Sequence, residues 1–323
     1  MEIVDEQNTE TKAVIISIWK LGGLSWRVLA RRTWHEIYEG ILLTHAAALS
    51  FYFLLAIFPL LLCLITVIGF FTESGADLRA ALLFNLSRVL PLSASALIYT
   101  TVDEIGKNAD GGKLSFGLLT SLWVASSGMA AITEALNAMY GVKESRPWWK
   151  VRLESIGLTI TLAILIISAL LLILYSGEIG EAVANYFNQG NFFTAFWVIV
   201  QVPVVLLFVL LAFALIYYFA PNLYDQKWYL ITPGSLIGVA LWVLVSSLFR
   251  LYLRHFDSYS VTYGSLGALI ILMLWFYLTG VAILMGGKIN AEIENAASKI
   301  GVPGAKHHGE KIAEDSLNDL IKN

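Results

Sequence analysis

Apolar residues along the chain are gathered into long runs that contain no Asp, Glu, Lys or Arg. A helix needs about 20 such residues to cross a bilayer, and six runs reach that length. A membrane barrel would instead show segments of about ten residues with alternating polarity. The pattern therefore predicts an all-α fold, a polytopic membrane bundle of six transmembrane helices. The runs cover residues 40–72, 114–133, 155–177, 182–224, 228–249 and 258–287.

These runs predict a membrane domain over residues 41–294. The fourth run is too long for one span, and its Asn- and Gly-containing start around residues 188–190 is typical of a turn. Residues 1–40 are interpreted as a cytoplasmic N-terminal segment and residues 295–323 as a flexible polar cytoplasmic tail. The expected spans are about 45–71, 114–140, 155–177, 192–220, 229–250 and 263–287.

The composition favours a membrane protein over a soluble one. Hydrophobic residues make up 58% of the chain and charged residues 14%, with a mean hydropathy of +0.72, whereas soluble domains contain about 25% charged residues. The net charge of −3 lacks the basic excess of a nucleic-acid-binding protein. The single cysteine, Cys63, cannot form a disulfide within the chain.

The distribution of cations predicts the orientation. With a cytoplasmic N-terminus, 15 of the 21 Lys and Arg residues fall on the cytoplasmic side and six on the other side. Cytoplasmic loops carry the excess of positive charge in membrane proteins, so both termini are expected in the cytoplasm. The acidic start of the chain predicts no cleaved signal peptide.

Two stretches outside the spans are amphipathic. Residues 14–38 place Lys20, Arg27, Arg31 and His35 on one helical face, and tryptophans flank that face. This pattern favours an N-terminal interfacial helix on the cytoplasmic leaflet, although a solvated face on a packing helix stays open. Residues 77–106, divided by a proline, predict an extracytoplasmic helical hairpin that caps the bundle.

Glu134 is the most informative polar residue within the spans. It is followed by Asn137 and Tyr140 at i+3 and i+6, and an intramembrane carboxylate is expected to face the bundle interior or a wet cavity. The three residues are candidates for a substrate or proton pathway, with His45 at the start of the first span. A structural hydrogen bond, for example between Glu134 and His45, is the alternative.

Small residues and prolines mark further positions. Gly234 and Gly238 form a GxxxG step, a pattern of close helix packing. Packing or gating is the interpretation for all such positions: Gly234, Gly238, Gly264, Gly267, Pro59 and Pro203. Charged and polar residues at the predicted membrane edges are interpreted chiefly as anchors: Glu144, Arg146, Asn290 and Glu292.

Three ordered motifs resemble the YihY/BrkB family. They begin at His45, Trp123 and Tyr263, and the resemblance covers about residues 33–294. It implies a bacterial inner-membrane protein of six helices, from a family linked to envelope lipid export and serum resistance. The family was once labelled a ribonuclease, but the five histidines are not accompanied by a metal-ligand cluster.

The leading hypothesis is a transporter or flippase for a lipid or other amphipathic envelope molecule. The alternative is a non-transporting membrane scaffold that organises envelope-biogenesis partners. No catalytic constellation, metal site or cofactor is expected. Membrane lipids and an unknown amphipathic substrate are the expected partners, nucleic acid is not, and a homo-oligomer stays open.

Overall fold

The computed structural model describes residues 19–38, 40–71, 111–174, 190–223, 231–255 and 259–300. Within these ranges the chain is helical and contains no strand. A short 3-10 helix at Leu21–Gly23 precedes the α-helices. These are α1 (Trp26–Tyr38), α2 (Ile41–Phe71), α3 (Gly111–Tyr140), α4 (Trp148–Leu174), α5 (Gly190–Phe219), α6 (Pro233–His255) and α7 (Tyr259–Lys299).

The all-α membrane architecture predicted from the apolar runs is confirmed in its coarse form. Four helices are long and apolar enough to cross a membrane, over Trp148–Ala169, Ile199–Phe219, Pro233–Leu253 and Leu269–Lys299. The other two long helices, α2 and α3, have 31 and 30 residues. The predicted hairpin at residues 77–106 lies outside the described residues.

The last helix is longer than the sequence predicted. α7 has 41 residues, which corresponds to about 60 Å at 1.5 Å per residue. The helix continues past residue 287, the expected end of the span, and past residue 295, where the flexible tail was expected to begin. The helix continues because Lys288 and Glu292, one turn apart, pair at 3.1 Å within the helix.

The predicted N-terminal helix is interrupted. Leu21, Gly22 and Gly23 have positive φ angles, which end any helix before α1 begins. Gly22 lies against the backbone of α7, where an added Cβ would overlap the carbonyl oxygen of Ile293. The expectation of one helix over residues 14–38 is therefore wrong in its described part, because the chain must turn to pass close to α7.

α1 packs on the C-terminal part of α7. Leu29 is 1% exposed and contacts Ile289 and Ile293. Trp26 and Trp34 remain exposed on the other side of the helix, at 57% and 68%. One face of α1 is therefore attached to the bundle while its tryptophans face outward.

The six long helices pack side by side in a ring. Each helix from α2 to α6 packs against the next one, and α7 packs against both α6 and α2. Because consecutive helices run in opposite directions, α3 and α5 end where α4 and α6 begin. We call this the polar end; its described residues are 41–50, 125–159, 213–223, 231–238 and 276–300. The opposite part of the helices is called the far half.

Burial is concentrated at the polar end. Apart from Gly267, every buried position described in α2–α7 and the adjoining turns lies at this end. These positions fall within residues 42–50, 125–142, 155–159, 213–222, 233–238 and 276–297. In the far half, Gly267 is the only buried position among the described side chains. The helices therefore enclose a core at one end, and the described side chains enclose none at the other.

Candidate functional site

Arg146 is the centre of a polar network at the polar end. It lies between α3 and α4, and its Nε and Nη2 donate to Glu144 at 2.8 and 2.7 Å. Nη1 donates to Glu154 of α4 at 2.5 Å, and Nη2 also reaches the carbonyl oxygen of Ala220 at 3.0 Å. One guanidinium thus connects the α3–α4 turn, the first turns of α4 and the end of α5.

Two asparagines extend this network into the bundle. Asn137 of α3, 4% exposed, donates to Glu144 at 2.8 Å and accepts from the backbone N–H of Asn222 at 2.7 Å. Asn222, 1% exposed, donates from its side chain to the carbonyl oxygen of Lys143 at 2.9 Å. A side-chain amide can serve as donor and acceptor at once, so these residues join the two turns that follow α3 and α5.

The opposite charges of Glu144 and Arg146 stabilise each other's ionised forms. Burial raises the pKa of Glu144, but the hydrogen bonds from Arg146 and Asn137 outweigh this effect and the pKa is lowered overall. Burial likewise lowers the pKa of Arg146, and its bonds to Glu144 and Glu154 raise it overall. Both groups therefore stay ionised near neutral pH, and the polar end is held by charge-assisted hydrogen bonds.

A second feature of the polar end is a notch lined by glycines, with a tyrosine inside. The Oη of Tyr217 on α5 donates to the carbonyl oxygen of Ile283 on α7 at 2.7 Å. A Cβ added to Gly238 of α6 would lie 2.7 Å from this Oη, and one added to Gly286 of α7 would overlap it. The glycines of α6 and α7 therefore leave the space that Tyr217 fills, and three helices meet at its hydroxyl.

Gly234 takes part in the same close approach. Its Cβ position would overlap the carbonyl oxygen of Gly286, and its backbone N–H donates to the Oδ1 of Asn290 at 2.9 Å. The close-packing interpretation of Gly234 and Gly238 agrees with these contacts. Asn290 thereby satisfies one backbone amide of the first turn of α6, and its place at the membrane edge stays a prediction.

Glu292, a second residue of the predicted membrane edge, is buried. Its side chain is 10% exposed and pairs with Lys288, 4% exposed, at 3.1 Å, and with Arg32 of α1 at 3.4 Å. α7 continues past the expected span and carries both charges into the contact with α1. The ion pair joins α1 to α7.

Glu134 does not join Asn137 and Tyr140. Its side chain is exposed, as is that of Ala138 one turn later, while Asn137 and Tyr140 are 4% and 6% exposed. Steps of 100° per residue spread positions i, i+3 and i+6 over about 120° of the helix surface, so Glu134 does not share the buried side of Asn137. Exposure to a wet cavity, the other part of the expectation, stays a prediction. The Glu134 carboxylate lies only six residues before the end of α3.

The remaining candidates are dispersed. His45 is half-buried in α2, and no hydrogen bond joins it to Glu134 in the described part of the chain. Pro59 lies inside α2 and Pro203 inside α5, and both helices continue through the proline. Gly267 is buried in α7, whereas the surroundings of Gly264 lie outside the described side chains.

Several residues of the polar end were missed by the sequence interpretation. Lys288 carries a usable signal, since its charge is opposite to that of Glu292 at i+4 and such pairs favour a continuing helix. Tyr217 and Arg32 have no local signal, because their partners are 66 and 260 residues away in the chain. Their roles depend on the packing of helices that are distant in sequence.

The sequence of the chain assigns it to a known family. A family model described as virulence factor BrkB matches residues 33–309. The chain belongs to the virulence factor BrkB family. The resemblance to the YihY/BrkB family noted from its motifs is thereby confirmed.

Individual members of the BrkB family are similar over most of this chain. The ribonuclease-like protein YfkH of Bacillus subtilis is 37% identical over 259 residues, 80% of this chain and 91% of that protein. A UPF0761 membrane protein of Aromatoleum aromaticum is 30% identical over 77% of this chain and 59% of its own length. One of Tolumonas auensis is 29% identical over 81% of this chain and 83% of its own length. No solved structure matches the chain.

These similarities and the apolar helices make the chain an integral, multi-pass membrane protein. The ribonuclease term belongs to the printed name of YfkH. Within the residues that the structure describes, no three His, Cys, Asp or Glu side chains lie close enough together to hold a metal ion.

Proposed function

We propose that the protein is a transporter or flippase that moves a lipid or another amphipathic envelope molecule across the bacterial inner membrane. The observation that carries this proposal is the unequal burial along the bundle, with a closed core at the polar end and none among the described side chains of the far half. A molecule that moves through a bundle needs a cavity open at one end and closed at the other, with two arrangements of the closing contacts.

The topology that fits this proposal has six spans, formed by α2 to α7, with both termini in the cytoplasm. The polar end then lies on the cytoplasmic side, in keeping with the excess of Lys and Arg there. α1 lies at the cytoplasmic surface of the bilayer. Its exposed Trp26 and Trp34 lie at headgroup level, and the exposed Arg27 and Arg31 lie beside them.

In this arrangement the network around Arg146 and the notch around Tyr217 form the cytoplasmic seal. The network around Arg146 consists of polar contacts between helix ends, whereas Tyr217 lies within the apolar cluster that also contains Leu136 and Ile283. Opening this end must therefore separate packed apolar side chains as well as polar contacts. Glu134 is exposed near the same end, where it can reach headgroups or water. We keep the prediction that Glu134 takes part in a substrate or proton pathway. Its exposed carboxylate would act there from the surface of the bundle.

Reconstitution tests the proposal. The full-length protein is placed in liposomes that contain fluorescently labelled lipids, and dithionite quenching reports how fast the label crosses the bilayer. A transporter accelerates the crossing over protein-free vesicles. Two variants are compared with the wild type. Arg146→Gln removes the centre of the seal and should change the rate of lipid crossing. Glu134→Gln removes the charge of the exposed carboxylate and tests its part in the pathway. If all lipid classes and small solutes cross no faster than in empty vesicles, the transport proposal is wrong and the scaffold alternative remains.

A further inference from the structure

Arg152 on α4 is held against Trp123 on α3. The Cζ of its guanidinium lies 4.1 Å from the centroid of the Trp123 ring, and its Nη2 donates to the carbonyl oxygen of the same residue. A cation over the face of an indole is attracted by the electron-rich ring. Because the Trp123 side chain is exposed, this pair lies at the surface of the bundle, where α3 meets α4.

Most hydrogen-bond donors of Arg152 have no acceptor in the described part of the chain. A guanidinium carries five N–H groups, and among the described residues only the Trp123 carbonyl accepts from one of them. The Nε of Arg152 is buried without a partner, and no described carboxylate pairs with its charge. Arg146, by contrast, is bonded to two carboxylates. Arg152 therefore carries a charge that these residues do not neutralise.

Two tryptophans flank Arg152 on the same side of α4. Trp148 and Trp149 precede it by four and three residues, so both are its neighbours on the helix surface. Their side chains are 74% and 57% exposed, and the segment of α4 that is apolar enough to cross a membrane begins at Trp148. Tryptophan is enriched at the level of lipid headgroups. The position of the two rings thus fits the border between headgroups and acyl chains.

The charges around the start of α4 favour an anion. Residues 143–154 contain four Lys or Arg side chains and two carboxylates, and both carboxylates bind Arg146. The cations that remain are Lys143, Lys150 and Arg152. Cations at a membrane surface attract anionic lipids, whereas the ammonium group of a zwitterionic lipid would be repelled.

We propose that the surface formed by Trp123, Trp148, Trp149 and Arg152 binds one anionic phospholipid of the leaflet next to the polar end. The guanidinium of Arg152, oriented by the Trp123 ring, donates to the phosphodiester oxygens, whose geometry its planar fork matches. The rings of Trp148 and Trp149 lie beside the glycerol and the upper acyl chains. This lipid joins α3 to α4, and its binding does not depend on whether the protein transports a substrate.

Lipid titration tests the site. Full-length protein in a neutral detergent receives phosphatidylglycerol or phosphatidylcholine with the same acyl chains, and native mass spectrometry counts the bound lipids. The wild type should bind phosphatidylglycerol about fivefold more tightly than phosphatidylcholine. Arg152→Gln should weaken the binding of phosphatidylglycerol about tenfold, the equivalent of one charge-assisted hydrogen bond. The control Lys143→Gln removes an exposed cation outside the site and should weaken it by no more than about twofold, because an exposed charge is screened by salt.

Thermal denaturation separates lipid binding from a structural role of Arg152. A lipid that binds the folded protein raises its Tm, so phosphatidylglycerol should raise the Tm of the wild type and of Lys143→Gln but much less that of Arg152→Gln, whatever the lipid-free Tm of this variant. Arg152→Lys keeps the charge without the planar fork and should give an intermediate shift; it decides the test if Arg152→Gln does not fold.

Three results would overturn the site. One is phosphatidylglycerol binding by Arg152→Gln that equals that of the wild type, which would leave Arg152 as a link between α3 and α4. Another is equal affinity of the wild type for the two lipids. The third is full competition by glycerol 3-phosphate, which would assign the surface to a soluble phosphate compound.

Discussion

The Oη of Tyr217 lies 2.7 Å from the carbonyl oxygen of Ile283 and donates a hydrogen bond to it. This bond joins α5 to α7 although the two residues are separated by 66 positions in the chain. The ring of Tyr217 also packs edge-on against Phe213, with centroids 5.9 Å apart. The contact depends on the absence of side chains at Gly238 and Gly286, so tyrosine and glycines form one structural unit.

Loss of the hydroxyl alone should weaken this unit. Tyr217→Phe keeps the ring and removes the donor, and a buried hydrogen bond of this kind contributes about 1 kcal/mol to stability. The variant is expected to lower the Tm in detergent and to increase transport leak in liposomes. Tyr52→Phe, at a site that is 38% exposed on α2, is the control. An unchanged Tm in Tyr217→Phe would mean that the bond does not hold the polar end together.

Filling the notch should be more damaging than losing the hydroxyl. In Gly286→Ala the new Cβ overlaps Tyr217 and lies 2.5 Å from the carbonyl oxygen of Gly234, so α6 and α7 must separate. Overpacking of this kind costs about 2 kcal/mol. Gly157→Ala on α4 has nothing within 4 Å and should stabilise its helix by roughly 0.5 kcal/mol. Thermal denaturation of both variants distinguishes local crowding from a general effect of alanine.

The seal around Arg146 should depend on pH through Glu144. The pKa of Glu144 is lower in the folded protein than its ordinary value, so its contribution to stability is complete above the ordinary pKa. That contribution is lost as the pH falls through the folded pKa. The wild-type Tm should therefore decrease from about pH 6 to about pH 3.

The matched variant for this pH effect is Glu144→Gln, which cannot titrate. Its Tm should be lower than that of the wild type at neutral pH, and the difference should shrink towards acidic pH. A difference that stays constant over this range would show that Glu144 does not gain stability from its charge. Arg146→Gln should give the same loss of pH dependence, because it removes the main partner of Glu144.

The buried ion pair between α1 and α7 should matter for stability. Glu292→Gln removes the carboxylate that Lys288 and Arg32 share, and the loss of one partner of a buried pair costs about 3 kcal/mol. Combining Glu292→Gln with Lys288→Met should recover part of this loss, because the second change removes the buried ammonium. The exposed Glu134→Gln is the comparison and should change stability by less than about 0.5 kcal/mol. Equal effects of the two glutamate variants would contradict the burial of Glu292.

The charge-free apolar runs of the sequence predicted most of the helices, because the length of such a run reflects the thickness of the bilayer. The residues expected near 114–140 and 192–220 are helical, in α3 and α5, and their crossing of the membrane as two of six spans stays a prediction. The same criterion failed for the end of α7, because a charge was taken as the limit of the span. Lys288 and Glu292 neutralise each other within the helix, and a paired charge does not end a helix.

The candidate site could be predicted only in part. Glycine spacing drew attention to Gly234 and Gly238, which lie in close contact with α7 and α5, since GxxxG steps reflect a local requirement for close packing. The exposure of Glu134 beside the buried Asn137 was missed because one helix alone does not reveal which of its faces meets a neighbour. The break before α1 was missed for a similar reason, as Gly22 is required by the backbone of α7, about 270 residues later.

Distances between spin labels test the central proposal, that the bundle closes at the polar end and opens in the far half during transport. After replacement of Cys63, one pair of labels is placed at Leu55 and Val202 in the far half, and another at Ala138 and Leu236 at the polar end. All four positions are exposed. In liposomes we predict a narrow distance distribution for the polar-end pair and a broad or two-peaked one for the far-half pair. Equally narrow distributions for both pairs, unchanged in any lipid, would contradict the account.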